Sequence, residues 1–179
     1  ETGGSVRDRE PKVEPSAMVV LAVEAFPPPR SLASPRATLA ALTQEWAGII
    51  GEVEGEIWER DSGSMLICWS GSDLRESLQT AVSVTLQLKA LTRKAGYRLS
   101  AGVVPGVARL RSDTQRPGEG WELAGPFYLA RWMMNLSAHR GRPLLTEVGA
   151  REVEKKHKTS LLGRISILGN RYINLYEVS

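Results

Sequence analysis

The chain has 179 residues, 42% hydrophobic and 24% charged, with 23 Lys and Arg against 20 Asp and Glu for a net charge of +3. That balance excludes a disordered or collagen-like polymer, and the single cysteine, Cys68, excludes an internal disulfide or a cysteine-rich zinc centre. Two histidines, His139 and His157, exclude a His-rich metal centre, and so small a cationic excess gives no ground for a nucleic-acid partner.

Residues 1–16 are polar and aperiodic and read as a linker or tail, leaving 17–179 as one domain. The chain does not open with methionine, and Glu1-Thr-Gly-Gly-Ser5 reads as a tag remnant, so the expectation is a piece of a larger protein. No charged segment with a long apolar core opens it either, which predicts no signal peptide and a cytoplasmic location. The first apolar run, Met18 to Phe26, contains Glu24 and is far shorter than the roughly 20 residues that span a bilayer.

Met18-Val-Val-Leu-Ala-Val23 is continuous and β-branched, as a buried central strand requires. Pro27-Pro-Pro29 ends it. Ser34-Pro35 is a helix start, and Leu39, Leu42, Trp46, Ile49, Ile50 and Val53 follow at helical spacing. Residues 56–60 and 65–69 read as a hairpin joined by a four-residue loop, Asp61-Ser-Gly-Ser64. Ser72-Asp73 caps a second helix, which runs to Gly96. Residues 97–110 form a strand in which Gly102 and Gly106 mark close backbone approaches.

After a polar stretch, 111–120, Trp121 to Ala138 carries aromatics and methionines at helical spacing. Pro143–Thr146 reads as a short strand and Glu147–His157 as a charged helix. Residues 165–168 and 172–176 read as a hairpin turning at Gly169-Asn170. The predicted architecture is α+β, with one mainly antiparallel sheet and helices on its outer face.

In this order the segments resemble the class III nucleotidyl (adenylate/guanylate) cyclase homology domain, whose fold is a ferredoxin-like βαββαβ core with a C-terminal extension. The family's opening strand ends in an acidic metal ligand, here Glu24. Its hairpin, Gly-x-Val-x-Lys-x-x-Gly-Asp-x-x-Met-Ala-x-Phe, is matched without a gap from Gly55 to Trp69. Its Gly-Ile-x-x-Gly strand corresponds to Gly102-Val-Val-Pro-Gly106, and its Tyr-Asp-x-x-Gly-x-x-Val-Asn-x-x-x-Arg segment to Trp121 through Met133. The closing Leu-Lys-Gly…Tyr-Glu-Val corresponds to Leu168-Gly169 through Val178.

The resemblance implies a reaction in which two carboxylates hold two divalent cations that activate a 3′ hydroxyl against an α-phosphate. The two metal positions fall on Glu24 and Gly63, and glycine has no ligand to offer. Asp61 stands two residues earlier. The base-recognition positions fall on Glu59 and Glu122, a like-charged pair, and read as solvated residues of a vestigial cleft. The transition-state positions, which the partner subunit supplies in this family, fall on Leu129 and Met133, which lack donors, with Arg131 on another side of the helix. The terminal phosphate-binding lysine is missing near Gly169-Asn170.

The expectation is therefore a pseudo-enzyme with no catalytic residue, metal or cofactor, kept as a regulatory or interaction module of a signalling protein. Its partners would be itself, another cyclase-like domain or the rest of its parent, met through Phe127, Tyr128, Trp132 and Met133. Alternatives are a nucleotide-binding sensor, a cyclase with relocated ligands, and a degenerate diguanylate cyclase domain. The latter does not account for the strand at Tyr172–Tyr176. Among weaker signals, Lys155-Lys-His-Lys158 reads as the basic end of a helix, and Arg98, Arg109, Arg111 and Arg116 as a diluted basic loop. Asn135-Leu-Ser137 is a sequon in form only, and Cys68 an inert core residue.

Overall fold

A computed structural model describes residues 14–28, 37–71, 73–110, 121–122, 125–138, 140–167 and 171–179. Its elements run β1 (Glu14–Phe26), α1 (Leu39–Glu52), β2 (Glu56–Asp61), β3 (Ser64–Ser70), α2 (Leu74–Lys94) and β4 (Arg98–Leu110). They continue with β5 (Trp121–Glu122), α3 (Pro126–Ala138), β6 (Leu144–Thr146), α4 (Glu147–Val153), β7 (Thr159–Ile167) and β8 (Arg171–Val178). One sheet follows the order β2-β3-β1-β4-β6-β8-β7, with β5 added beside β4. The first four strands have the ferredoxin-like order, β4 and β6 run parallel, and the other described pairs are antiparallel.

The continuous apolar run of β1 has a direct cause: both faces of the strand are buried. Val19, Leu21 and Val23 point into a core shared with Leu42, Trp46 and Ile50 of α1 and Leu78, Val82 and Leu88 of α2. Met18, Val20 and Ala22 point the other way, into a second core built with Phe127, Ala130 and Met133 of α3. The helices thus lie on both faces of the sheet, and the expectation of a single outer face is corrected.

Local chemistry sets most boundaries. Thr38 caps α1 by accepting from the Ala41 N–H at 3.1 Å, so the helix begins at Leu39; Ser34-Pro35 lie outside the described residues. Asp73 caps α2 by accepting from the Arg75 and Glu76 N–H groups at 2.9 and 3.0 Å. The β2–β3 loop shrinks from the expected four residues to two, because Asp61 and Ser64 still pair. Trp121 lies in β5 rather than in a helix, and α3 starts at Pro126, where a missing N–H is harmless. α4 stops at Val153 and not at His157, and β7 starts at Thr159 and not at Ile165. The 168–170 turn lies outside the described residues.

Gly102 and Gly106 are close approaches, as expected. A Cβ at Gly102 would stand 2.3 Å from the Ala130 carbonyl oxygen, and one at Gly106 would stand 2.4 Å from the Pro126 ring. The two glycines let α3 lie directly on β4.

Candidate functional site

Residues paired across a sheet project to the same face, so register alone assembles a row. Glu24 pairs with both Ser64 and Ser100, and Ser64 pairs in turn with Asp61. The row Asp61–Ser64–Glu24–Ser100 crosses β2, β3, β1 and β4 on the face that carries α3. The Ser100 hydroxyl donates to the Glu24 carbonyl oxygen at 3.3 Å.

On β2 the register shifts between Ile57 and Glu59. Such a bulge re-aims side chains, and here Trp58 and Glu59 both turn toward α3. The Trp58 ring stacks on Phe127 with centroids 4.6 Å apart and 18° between planes. The Glu59 carboxylate receives an ion-paired hydrogen bond from Arg131 of α3. Arg60 points to the opposite face, where it donates to Gln44 Oε1 at 2.6 Å. Between these walls lies a cavity of about 550 Å³, lined among others by Glu24, Glu59, Asp61, Ser64, Arg131 and Met134.

Three of the sequence-derived positions, Gly63, Leu129 and Met133, do not line it. Gly63 is buried with a φ of +87°, its N–H donating to Thr43 Oγ1 at 2.9 Å and its carbonyl accepting from the Ala25 N–H at 2.7 Å. A Cβ there would point at Leu39 of α1, 3.1 Å away, and not toward Glu24. Met133 is fully buried in the core beneath α3, and Leu129 is half-buried beside it. The α3 residues that enter the cavity are Arg131 and Met134.

Leu129 and Met133 stand at positions that the resemblance assigns to a partner subunit's cleft, and the α3 cation at this chain's own cavity is Arg131, set aside in the sequence. Its signal was present: Phe127, Ala130, Met133 and Ser137 recur at helical spacing and mark the inward stripe, which puts Arg131 outside it. Phe127 and Met133 belong to the chain's own core and are corrected as interface residues; Tyr128 is 64% exposed and Trp132 half-buried. Glu122 falls in β5 opposite Arg109, and its side chain lies outside the described residues.

The Glu59–Arg131 pair is open to solvent, with side chains 60% and 48% exposed. A pair so placed stabilises by at most about 1 kcal/mol and is screened by salt. A double-mutant cycle with Glu59→Gln and Arg131→Gln, read by urea denaturation, is expected to give a coupling below about 1 kcal/mol that shrinks in high salt. A coupling several-fold larger would mean the pair is a structural strut.

The remaining signals resolve simply. Cys68 is buried in the second core, and burial, reinforced by the Glu56 charge, pushes its thiol up to about 12, so it stays a protonated thiol. Asn135-Leu-Ser137 lies inside α3, where the buried Ser137 hydroxyl accepts from the Ala101 N–H and donates to the Arg142 carbonyl. Lys155–Lys158 follow α4 in the turn before β7. His139 lies outside the described residues.

No protein-family model matches the sequence, and no curated protein matches it. Solved structures do. The adenylyl cyclase CyaB from P. aeruginosa superposes with a TM-score of 0.67 at 12% identity, over 94% of this chain and 96% of that one. The guanylate cyclase domain of RhGC from Catenaria anguillulae, in complex with GTP, gives 0.64 at 14% identity, over 93% and 98%. A non-canonical dimeric guanylyl cyclase domain of the RhoGC fusion protein from the aquatic fungus Blastocladiella emersonii gives 0.65 at 14%, over 92% and 97%. The chain has the class III nucleotidyl cyclase fold. At these identities the likeness establishes the cyclase fold, and activity has to be argued from the residues of the site.

The fold implies a pair of divalent cations; of the two aligned positions Glu24 lines the cavity and Gly63 does not, and Asp61, two residues before Gly63, lines the cavity with Glu24. Gly63 contributes no side chain and faces α1. Among the described residues, no group of three or more Asp, Glu, His or Cys side chains is placed to hold a metal ion.

Proposed function

We propose that this is a cyclase-fold domain without cyclase turnover, serving as a regulatory or interaction module of a larger cytoplasmic signalling protein. The observation that carries the reading is Gly63. A second metal ligand is missing there, and the backbone direction at that residue sends any side chain toward Leu39, away from Glu24. Glu59 is consistent with it, its carboxylate pairing with Arg131 of the same chain. The partner of such a module is a second copy or another cyclase-like domain, meeting the outer side of α3 at Tyr128, Leu129 and Trp132. The non-canonical dimeric RhoGC domain lends support to pairing as such, not to a particular face. No described helix is long and apolar enough to cross a membrane.

A second reading has one observation in its favour: the proteins whose structures it resembles are adenylyl and guanylyl cyclases. Incubation with ATP or GTP and magnesium or manganese separates the two. The expected result is no cyclic nucleotide from the parent chain and none from Gly63→Asp, whose carboxylate would be aimed at α1. Turnover above a buffer blank, abolished by Glu24→Ala, would sink the proposal. Restored turnover in Gly63→Asp would show that the hairpin can turn its carboxylate into the cavity. Micromolar binding of GTP without turnover, lost on Glu59→Ala, would favour a sensor instead.

A further inference from the structure

The sheet ends in β2 on one side and β7 on the other, and the two edges differ. β2 is six residues long, carries Glu56, Glu59, Arg60 and Asp61, and is interrupted by its bulge. Shortness, charge and a bulge are how an edge strand resists pairing with another chain. β7 is nine residues long, and Arg164 is its one charged side chain.

Register identifies the backbone groups of β7 that face outward. Lys158 and Ser179 exchange both backbone hydrogen bonds, whereas the Val178 N–H turns the other way, to the Pro143 carbonyl oxygen. Alternation along β8 turns the backbone groups of Val178, Tyr176 and Asn174 away from β7, so their partners Thr159, Leu161 and Arg164 present N–H and C=O groups to the open side. No backbone group of the described residues meets them there. The register shift between Leu161 and Gly163 adds the residue that puts Leu161 and Arg164, three apart, on one face.

That face also carries α4, and at this end it is apolar and open: Leu161 is 61% exposed, Val148 58% and Tyr172 54%. The Arg164 guanidinium lies over the Tyr172 ring, 4.5 Å from its centroid, beside a cavity of about 430 Å³. Glu147, the carboxylate lining this cavity, is taken by Arg151 and by Asn174, whose Nδ2 donates to Oε2 at 2.9 Å. Among the described residues Arg164 has no carboxylate partner. The surrounding sequence is of one sign: from Lys155 to Tyr176 it holds Lys155, Lys156, Lys158, Arg164 and Arg171, and no Asp or Glu.

We propose that the outer edge of β7 docks an extended acidic segment of a partner protein by strand addition, with an acidic side chain on Arg164 and an apolar one beside Leu161. An added strand brings N–H and C=O groups at the spacing of the edge, and so satisfies the groups that β7 leaves open. A nucleic acid would answer the cations but brings no row of N–H donors at that spacing. A second copy of β7 would answer the backbone, but it sets the cations of this segment against their own kind, and opposed like charges are destabilising. β7 stands at the far end of the sheet from β2 and the Glu24 cavity, so the edge is open whether or not the domain turns over nucleotides.

Fluorescence polarisation at low salt with a labelled Thr-Glu-Thr-Val-Thr-Glu-Thr-Val-Thr peptide, which alternates glutamate and valine on one face of a strand, tests the edge. It is expected to bind about tenfold more tightly than the same peptide with lysine for glutamate, and Arg164→Glu is expected to remove that advantage. Thr159→Pro deletes an N–H that β8 does not use, and is expected to weaken binding about fivefold. Thr159 is half-buried and Arg164 exposed, both on an edge, and both variants are expected to melt within a few degrees of the parent. Strand addition is also expected to slow hydrogen exchange at the Leu161 and Arg164 amides. No binding at about 1 mM peptide, equal binding of the lysine peptide, or unchanged exchange at those amides overturns the proposal. So does a dimer, seen by light scattering, that Thr159→Pro dissociates, because the edge then belongs to a second copy. A mixed-sequence DNA duplex that binds more tightly than the peptide and displaces it overturns it as well.

Discussion

Replacing Gly102 with alanine is expected to destabilise the domain by about 3 kcal/mol, which for a chain of this size lowers the melting temperature by roughly 10 °C. The added methyl group would stand 2.3 Å from the Ala130 carbonyl, 2.8 Å from the Met133 Cβ and 2.9 Å from the Met134 N–H nitrogen. These neighbours are backbone or the root of a side chain, so none can swing aside, and α3 has to lift off β4. Lifting it would also carry Arg131 away from Glu59 and open the cavity. Gly106→Ala is the comparison: its Cβ would meet the Pro126 ring at 2.4 Å, at the first residue of α3, where the helix end can tilt. It is expected to cost about 1 kcal/mol, at the mild end of overpacking. Thermal melts that place Gly102→Ala within half a kilocalorie of the parent would show that α3 is not seated on β4.

Met133→Arg is expected to be the most damaging single change, at about 4 kcal/mol or more. Met133 is fully buried among Met18, Val20, Val104 and Leu144, and nothing in that core could pair with a guanidinium. Tyr128→Arg, five residues away on the outer side of α3 and 64% exposed, is expected to move stability by less than about 0.5 kcal/mol. The contrast matters for the proposed association. A loss of dimer in Met133→Arg would report unfolding, whereas a loss in a well-folded Tyr128→Arg would report the interface. Denaturation midpoints together with light scattering on both variants keep the two causes apart. A Met133→Arg protein as stable as the parent would place that side chain outside the core.

Much of this architecture was legible before any coordinates. The buried run of β1, the apolar stripes of α1 and α2, the cap at Asp73 and the close approaches at Gly102 and Gly106 are all local rules that the chain obeys one element at a time. The order of elements, joined to the hairpin frame from Gly55 to Trp69, was enough to point to the cyclase fold.

The orientation of the site was not legible, because spacing along the chain does not say which way an element faces once it is packed. A one-residue offset turns a helical side chain through about 100° and moves a strand residue to the other face. On α3 the approach of Ala130 and Met133 to Gly102 sets that rotation, so Met133 goes into the core and Arg131 into the cavity. At the hairpin, the bulge between Ile57 and Glu59 and the positive φ of Gly63 decide that Glu59 meets Arg131 and that position 63 faces Leu39.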